Sequence, residues 1–533
     1  MISRSVSRWF SSHRADLGLA TLAAAFGWAS LTYPFGRDQG LYYYVGREWA
    51  LRGAIPYRDL FDHKTPGLYF VHAVCVLVFG ETFWGIRFAD LLAVLATGWV
   101  AGAIVAKARR IPKVPLRGFG ALVASVLFFG FLDFKATSEG EIWMAVLVLG
   151  SLAVTCPRRT VTGPTHWRLF GGGAFAAAAF LMKPLAVLLL PLVVVPIVWR
   201  TRRQPRTLLV QALAFFGGTA AVLGPVGLYF LAHGALRSAY ELVVEANSLY
   251  ARHGRLLKTW DDFVLHTKDF IEWYRPLSQW LSVLFGLALV GAVVRRNRKA
   301  FESHLLGLLL SLAGWAAVCV QGKFYQGHWG VMIAGMTIVA VAVVGDVAKL
   351  APKRTAGWVI AVASVGLLLL FGTSGARAEE HLDVNRAAIR WVFGRGTRDE
   401  FTSHFHEFFA GGSVADNEAC GSWLREHTTE SDFVAVRGFQ PQVYASARRR
   451  YPGRLFWTVF ALGPAGATHR EKWLEEDRIA IAANPPKFVA TFAFARGTID
   501  GMDWWIPRGY TVRKVIGDFT IVEHTPETAT QPW

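Results

Sequence analysis

Residues 35–70 read FGRDQGLYYYVGREWALRGAIPYRDLFDHKTPGLYF. An apolar span comes before them, yet charged side chains recur from Arg37 to Lys64, and Tyr42, Tyr43, Tyr44 and Tyr57 fall within the first 23 positions. A helix crossing hydrocarbon does not carry that density of charge, so the stretch is expected outside it, at the interface or in a solvated cavity. Asp38 lies just past the end of the first span, where a carboxylate can face a site at the membrane surface. Lys64 opens Lys64-Thr65-Pro66-Gly67, a rigid turn that leads back into apolar sequence. An acid and a base held at one membrane face form the expected functional core.

Outward from this stretch the chain is apolar for most of its length. Of its 533 residues 53% are hydrophobic, a modest excess over a soluble globular protein that is concentrated before residue 375. Apolar runs at 16–34, 84–106, 117–133, 141–156, 169–182, 185–199, 208–232, 278–294, 304–320, 329–345 and 357–375 predict about eleven transmembrane helices. The formal net charge is +18, and much of it sits in short connections such as Lys107–Lys113, Arg200–Arg206, Arg295–Lys299 and Lys349–Arg354. Those are cytoplasmic loops under the positive-inside rule, which removes the usual reason to expect nucleic-acid binding in a basic chain. The same rule decides a twelfth apolar run, 66–80: if it crossed, the next basic loop would be inverted, so it is expected along the interface. The first outer loop, 35–83, then contains juxtamembrane helices. The turn 134–140, the turn at Lys183, the loop 233–277, the turn 321–328 and everything after 376 share its face.

The basic N-terminus leads into a run too long and uninterrupted for a cleaved signal, so it is kept as the first transmembrane helix. Cys75, Cys156, Cys319 and Cys420 are too scattered for a disulfide framework or a zinc motif. From about 376 the apolar runs shorten and Gly/Pro turn signals appear. Helices at 415–427, 440–448 and 468–482 with strands at 432–436, 455–459, 487–493 and a pair over 510–523 predict a small C-terminal soluble α/β domain with a mixed sheet. The loop 233–277 is expected to hold a helix through Leu236, Tyr240, Val243 and Val244, then a polar stretch at Asp261 and Asp262.

Several outer-face residues suit chemistry on a charged substrate. Asp38 also suits the N-cap of a helix starting near Leu41. Glu139 and Glu141 lie between two spans, Lys64 and Lys183 stand at outer boundaries, and Lys323, Tyr325 and His328 share the turn QGKFYQGH. A carboxylate can take a proton from an acceptor hydroxyl, while neighbouring cations hold a phosphate leaving group and stabilise its developing charge. Sugar transfer from a lipid-linked phosphate needs that pairing, and a solute channel does not.

The order of these features resembles the GT-C glycosyltransferases, in particular the bacterial branch similar to protein O-mannosyltransferases and the aminoarabinose transferase acting on lipid A. The matching residues are Asp38 with the run Tyr42–Tyr44, then Lys64-Thr65-Pro66-Gly67, Gly80 with Arg87, Glu139 or Glu141, and Lys183. Two positions depart from the family pattern. Asp38-Gln39 stands where Asp-Glu is more usual, leaving Asp38 as the one catalytic carboxylate there, and Lys-Thr-Pro replaces Lys-Pro-Pro. The resemblance covers 1–375 and is strongest over 37–90.

What it implies is a GT-C membrane domain over 1–375 followed by a periplasmic α/β domain over 376–533, in a multi-pass protein of the bacterial inner membrane. It implies inverting transfer from a polyprenyl-phosphate sugar to a lipid, glycan or protein acceptor, with Asp38 as base and Glu139 or Glu141 assisting. Lys64, Lys183, Lys323 and His328 would bind the donor phosphate, and Tyr42, Tyr43, Tyr44 and Tyr325 would line the substrate path. A divalent cation, if one takes part, would sit at Glu139 and Glu141. A transporter or flippase of lipid-linked sugars and a polysaccharide polymerase or ligase are the rival readings. The first predicts charges in mid-span and repeats in the hydropathy, and the second lacks the first-loop Asp and Lys-x-Pro pattern.

Overall fold

The computed structural model describes residues 13–111, 113–155, 166–253, 255–294, 296–352, 354–407, 412–493 and 509–525. Cys156 lies outside them, and Cys75, Cys319 and Cys420 are free thiols. Each of the eleven apolar runs overlaps a helix. These are Arg14–Gly27, Phe83–Arg109, Leu116–Phe129, Gly140–Thr155, His166–Met182, Pro191–Thr201, Pro205–Ala232, Leu277–Val294, Arg298–Gln321, Ile333–Leu350 and Ala356–Gly372. Among the described residues six helical segments are long and apolar enough to cross a membrane. A seventh joins them if Ala356–Gly372 and Ala376–Val392, bent by 97°, count as one. Leu116–Phe129 and Gly140–Thr155 are apolar but shorter. The run 66–80 is also a helix, Pro66–Phe79, entered through Thr65 with proline in its first turn.

The chain divides into two compact units. The first comprises the residues up to Leu31, Arg87–Val226 and Arg255–Asn385. Its helices approach closely where side chains are smallest: a Cβ on Gly98 would lie 2.1 Å from the carbonyl oxygen of Gly120. Without a hydrophobic force between helices in lipid, such close packing is a main source of their adhesion. One end of the bundle is pinned by a buried polar triad. Arg109 Nη1 lies 2.5 Å from Asp346 Oδ1, and His304 Nε2 lies 2.7 Å from Asp346 Oδ2. These three residues join helices Phe83–Arg109, Arg298–Gln321 and Ile333–Leu350.

The second unit is built from Thr32–Ile86, Gly227–Gly254 and Arg386–Trp533. Its four-stranded sheet has the order β1-β2-β4-β3. β1 (Val434–Arg437) runs parallel to β2 (Phe488–Phe492), with Val434 opposite Phe488. β4 (Phe519–His524) runs antiparallel to both β2 and β3 (Tyr510–Ile516). β1 and β2 are buried along their whole length, whereas β3 is an exposed edge. Helices Val414–Glu426, Gln442–Ala447 and Arg470–Ala483 belong to the same unit.

Two local expectations are corrected. Residues 455–458 form no strand. Leu455 and Phe456 are buried in irregular chain that leads into a helical turn at Val459–Leu462. Asp38 is not an N-cap, because helix Arg37–Arg52 starts earlier with Gly36 in that position, which puts Asp38 in the first turn. Within the polar stretch at Asp261 and Asp262, Thr259 and Asp262 form a capping box that starts helix Trp260–Trp273.

Helix Arg37–Arg52 is seated by two glycines. A Cβ on Gly40 would fall 2.3 Å from the Cα of Gln442, and one on Gly46 would fall 2.6 Å from the Cβ of His72. The first-loop helices thus pack on each other and on helix Gln442–Ala447. Buried charge reinforces the contact: Arg47 pairs with Glu48 and Glu81 and donates to the carbonyl of Arg448 at 2.9 Å.

Candidate active site

The acid and base expected from the first loop come together in the second unit. Arg37 and Asp38 sit in the first turn of helix Arg37–Arg52, where the helix dipole favours an anion. Arg37 Nε donates to Asp38 Oδ1 at 3.3 Å, and the Arg37 backbone N–H donates to Glu407 Oε1 at 2.8 Å. The Asp38 side chain keeps 39% of its surface exposed. Partial burial pushes its carboxyl up, but the Arg37 guanidinium and the Lys64 ammonium outweigh that and hold it below the ordinary range. Burial likewise works against the charge of Arg37, and Asp38 and Glu407 reverse the effect.

Lys64 ends the tripeptide Asp62-His63-Lys64, which tyrosines hold in place. Tyr57 Oη donates to the Lys64 carbonyl at 2.7 Å, and the Lys64 backbone N–H donates to Tyr69 Oη at 3.1 Å. Tyr69 Oη in turn donates to Asp62 Oδ2 at 2.5 Å. Asp62 Oδ1 accepts from the His63 backbone N–H at 2.7 Å and lies 3.1 Å from His63 Nδ1. Lys64 Nζ lies 3.1 Å from His63 Nε2. An ammonium can only donate, so Nε2 accepts and the imidazole proton is on Nδ1, facing Asp62. Burial and the Lys64 charge both hold His63 below its ordinary pKa, which keeps that neutral tautomer. Burial raises the Asp62 carboxyl, but the bond from His63 and the neighbouring charges bring it below the ordinary range. The His63 ring is stacked on Phe460 at 4.1 Å and sits 5.4 Å from Tyr250.

A carboxylate thus lies beside an imidazole whose other nitrogen meets a lysine, and the lysine stands 5.4 Å from the Tyr42 ring. Asp62 and His63 were not singled out in the sequence reading. The signal was present in the three consecutive titratable residues before the Thr-Pro turn.

Tyr42, Tyr43 and Tyr44 are all buried. Tyr43 packs on Phe35 and Phe83. Tyr44 packs on Tyr444 and Phe456 and accepts from the Tyr451 backbone N–H at 3.0 Å. Only Tyr42 among them faces Lys64 in a described contact.

The remaining candidates lie in the first unit. Arg87, fully buried, donates to Thr137 Oγ1 and, at 3.1 Å, to Ser138 Oγ. It thereby holds the turn that carries Glu139 and Glu141. Ser138 has φ 61°, an uncommon conformation for a residue with a side chain. Glu141, 1% exposed, is ion-paired with Lys183, whose Nζ also lies 3.3 Å from Gln321 Oε1. Glu139 is half-buried.

Lys323 is buried, which lowers its pKa, and Tyr325 is exposed. Both line a cleft of about 720 Å³ whose walls include His266, Trp273, Arg275 and Arg377. His328 packs beside Tyr325, with the rings tilted and their centroids 5.4 Å apart. Gln326 lines it too, and Arg275, Lys323 and Ser374 in its wall lie two residues from the helix ends Leu277, Gln321 and Gly372. The turn 134–140 joins the same face, because a Cβ on Gly330 would fall 3.1 Å from the Cβ of Glu141. Among the described residues no three His, Cys, Asp or Glu side chains converge as metal ligands. Glu141 already has a lysine as its cationic partner, so the donor set Glu139 and Glu141 does not fit a resident cation.

No protein-family model and no curated protein matches the chain. Solved structures do. The chain is similar to ArnT from Cupriavidus metallidurans in the apo state, with a TM-score of 0.59 at 14% identity over 99% of this chain and 100% of that one. Fainter likenesses, with TM-scores of 0.48 and 0.47 at 12% identity, are to the oligosaccharyltransferase AglB of Archaeoglobus fulgidus, solved with an inhibitory peptide and a dolichol-phosphate, and to the oligosaccharyltransferase of the same organism with zinc and sulfate. They cover 98% and 95% of this chain and 75% and 73% of theirs. The ArnT likeness runs from end to end, so the chain has an ArnT-like fold, in keeping with the resemblance drawn from the sequence.

Proposed function

We propose that the chain is a multi-pass glycosyltransferase of the bacterial inner membrane, transferring a sugar from a polyprenyl-phosphate donor to a lipid, glycan or protein acceptor. The carrying observation is Asp38, an ionised carboxylate between the cations of Arg37 and Lys64. In the proposed step the acceptor hydroxyl oxygen attacks the anomeric carbon from the face opposite the phosphate. The new C–O bond forms as the bond to the phosphate oxygen breaks, so configuration inverts. The hydroxyl proton passes to Asp38 and the electron pair to the polyprenyl phosphate.

A carboxylate held below its ordinary pKa is a weak base. The rate then rests mainly on stabilising the departing phosphate, the task assigned to Lys64, with His63 and Asp62 as positioning residues that aim the ammonium. Tyr42 is assigned to the sugar or its lipid, and Tyr43 and Tyr44 to packing. Glu139 and Glu141 keep the assisting role toward the acceptor, and Lys183 and His328 the role of phosphate ligands. The reading carries eleven transmembrane helices, Pro66–Phe79 lying along the outer interface, and the sheet-bearing region in the periplasm, where it would recognise the acceptor. The ArnT-like fold supports it.

The test is lipid mass spectrometry on cells expressing the native chain or Asp38→Asn at matched levels. Accumulation of a polyprenyl-phosphate monosaccharide in the variant is expected, and its mass gives the class of the sugar. Unchanged lipid pools with an intact downstream glycan would remove Asp38 from the mechanism.

A further inference from the structure

We propose that helix Ala376–Val392 lies on the membrane surface, with the apolar stripe of Leu382, Ile389 and Phe393 sunk into the bilayer–water interface. This rests on the reading of the chain as a multi-pass membrane protein and adds a lipid-contacting face to it. Charge keeps the helix out of hydrocarbon, since Arg377, Glu379, Glu380, Asp383, Arg386 and Arg390 fall within its 17 residues. The helix before it, Ala356–Gly372, carries no charged side chain and is about 25 Å long, close to the thickness of a hydrocarbon core. Its exposed Trp358, Val362, Val365 and Leu369 recur every three or four residues, one stripe suited to lipid. The two helices are bent by 97°. When the first stands along the bilayer normal, the second runs almost in the membrane plane, starting where the hydrocarbon ends.

The helix has the sides that such a place requires. Leu382, Ile389 and Phe393 are 49%, 45% and 73% exposed, and their spacing puts them on one stripe. Arg386 borders the stripe, with Glu379, Arg390 and Asp383 further round. The remaining side is taken up by protein, for Ala378, Val384 and Ala388 are buried. The Arg377 guanidinium lies 3.5 Å over the Trp273 ring. His381 stacks on Phe26 at 4.2 Å, with its Nδ1 3.2 Å from the Phe129 carbonyl oxygen. These contacts fix the roll of the helix, so the apolar stripe cannot turn inward. An apolar row bordered by arginine, on a helix perpendicular to a span, belongs at the acyl boundary with its charges among the head groups. Three arginines balance three acids, so the partner is the bilayer surface itself and not one kind of lipid.

The test is photocrosslinking of the full chain in nanodiscs of phosphatidylcholine and phosphatidylglycerol. The photoreactive residue p-benzoylphenylalanine is placed, one position at a time, at Leu382, Ile389, Asp383 and Glu380. A fifth site, the 66% exposed Leu287 of helix Leu277–Val294, serves as the reference for lipid contact within a span. All five side chains are exposed, so the fold is expected to persist, and unchanged melting temperatures check it. After irradiation, mass spectrometry measures the fraction of chain carrying one lipid. Leu382 and Ile389 should give at least about fivefold more adduct than Asp383 and Glu380, and close to the yield at Leu287. Adduct at Leu287 with none above the Asp383 level at Leu382 and Ile389 would overturn the surface helix and leave the membrane reading standing. No adduct at Leu287 either would remove the membrane reading and this inference with it. Crosslinks from Leu382 or Ile389 to a second copy of the chain would make the stripe a protein interface and overturn the lipid assignment.

Discussion

Lys183 and Glu141 offer a way to separate a structural ion pair from a working one. Glu141 is 1% exposed, and the Lys183 side chain keeps 12% of its surface. Replacing Glu141 by Gln strands a nearly buried ammonium, and removing one partner of a buried pair costs about 3–5 kcal/mol. At roughly 2 °C per kcal/mol for a large domain, that is a fall of about 6–10 °C in Tm. Lys183→Met strands the carboxylate at similar cost. The double variant Glu141→Gln, Lys183→Met removes both charges and should recover most of the loss, since a buried pair replaced as a pair is close to neutral.

Melting in detergent gives the stability cycle, and donor accumulation in cells reports activity alongside it. If Lys183 holds the donor phosphate, the double variant regains stability and stays inactive. Activity returning with stability would make the pair structural and end the donor assignment of Lys183. Single variants that lower Tm by less than 2 °C, or losses that simply add, would refute the coupling itself.

Asp62→Asn should lower both Tm and activity, because one of its oxygens would become an amide facing donors in a buried site, at about 1–3 kcal/mol. Asp38→Asn, part-exposed, should change stability by less than about 1 kcal/mol while reducing turnover about 10²–10⁴-fold. His63 is held below its unfolded pKa, so the unfolded chain binds the extra proton and stability falls as pH drops through about 6.5 and below. His63→Gln should therefore flatten the dependence of Tm on pH between 7 and 5, and an unchanged slope would show that His63 titrates normally. Gly40→Ala places a methyl against the backbone of Gln442 and should cost about 1–3 kcal/mol, read as a lower Tm and faster proteolysis of the sheet region.

Much of this was legible because hydrophobic length and turn residues carry strong local signals. All eleven apolar runs became helices, and the strands around Val434 and Phe488 and the pair after Tyr510 stand where their alternation puts them. The failures are tertiary. Residues 455–459, LFWTV, look like a strand, but Phe456 is consumed by packing on Tyr44 and Tyr444. Phe433, just before β1, bridges to Arg450 instead. The three tyrosines read alike in sequence, yet only Tyr42 turns toward Lys64. A row of identical residues does not record which neighbour each will meet. That Gly40 is reserved for Gln442 is beyond any local pattern.

The long reach of the first-loop contacts bears on how the chain is made. Arg47 donates to a carbonyl 401 residues further on. At about 5–20 residues per second, roughly 20–80 s of synthesis separate the two partners. Throughout that interval the tyrosine-rich helix and its arginine wait without the segment that covers them, a natural moment for a chaperone to act. Premature termination anywhere before residue 442 would release a chain that carries Asp38 and Lys64 but lacks the segment on which their helix is seated.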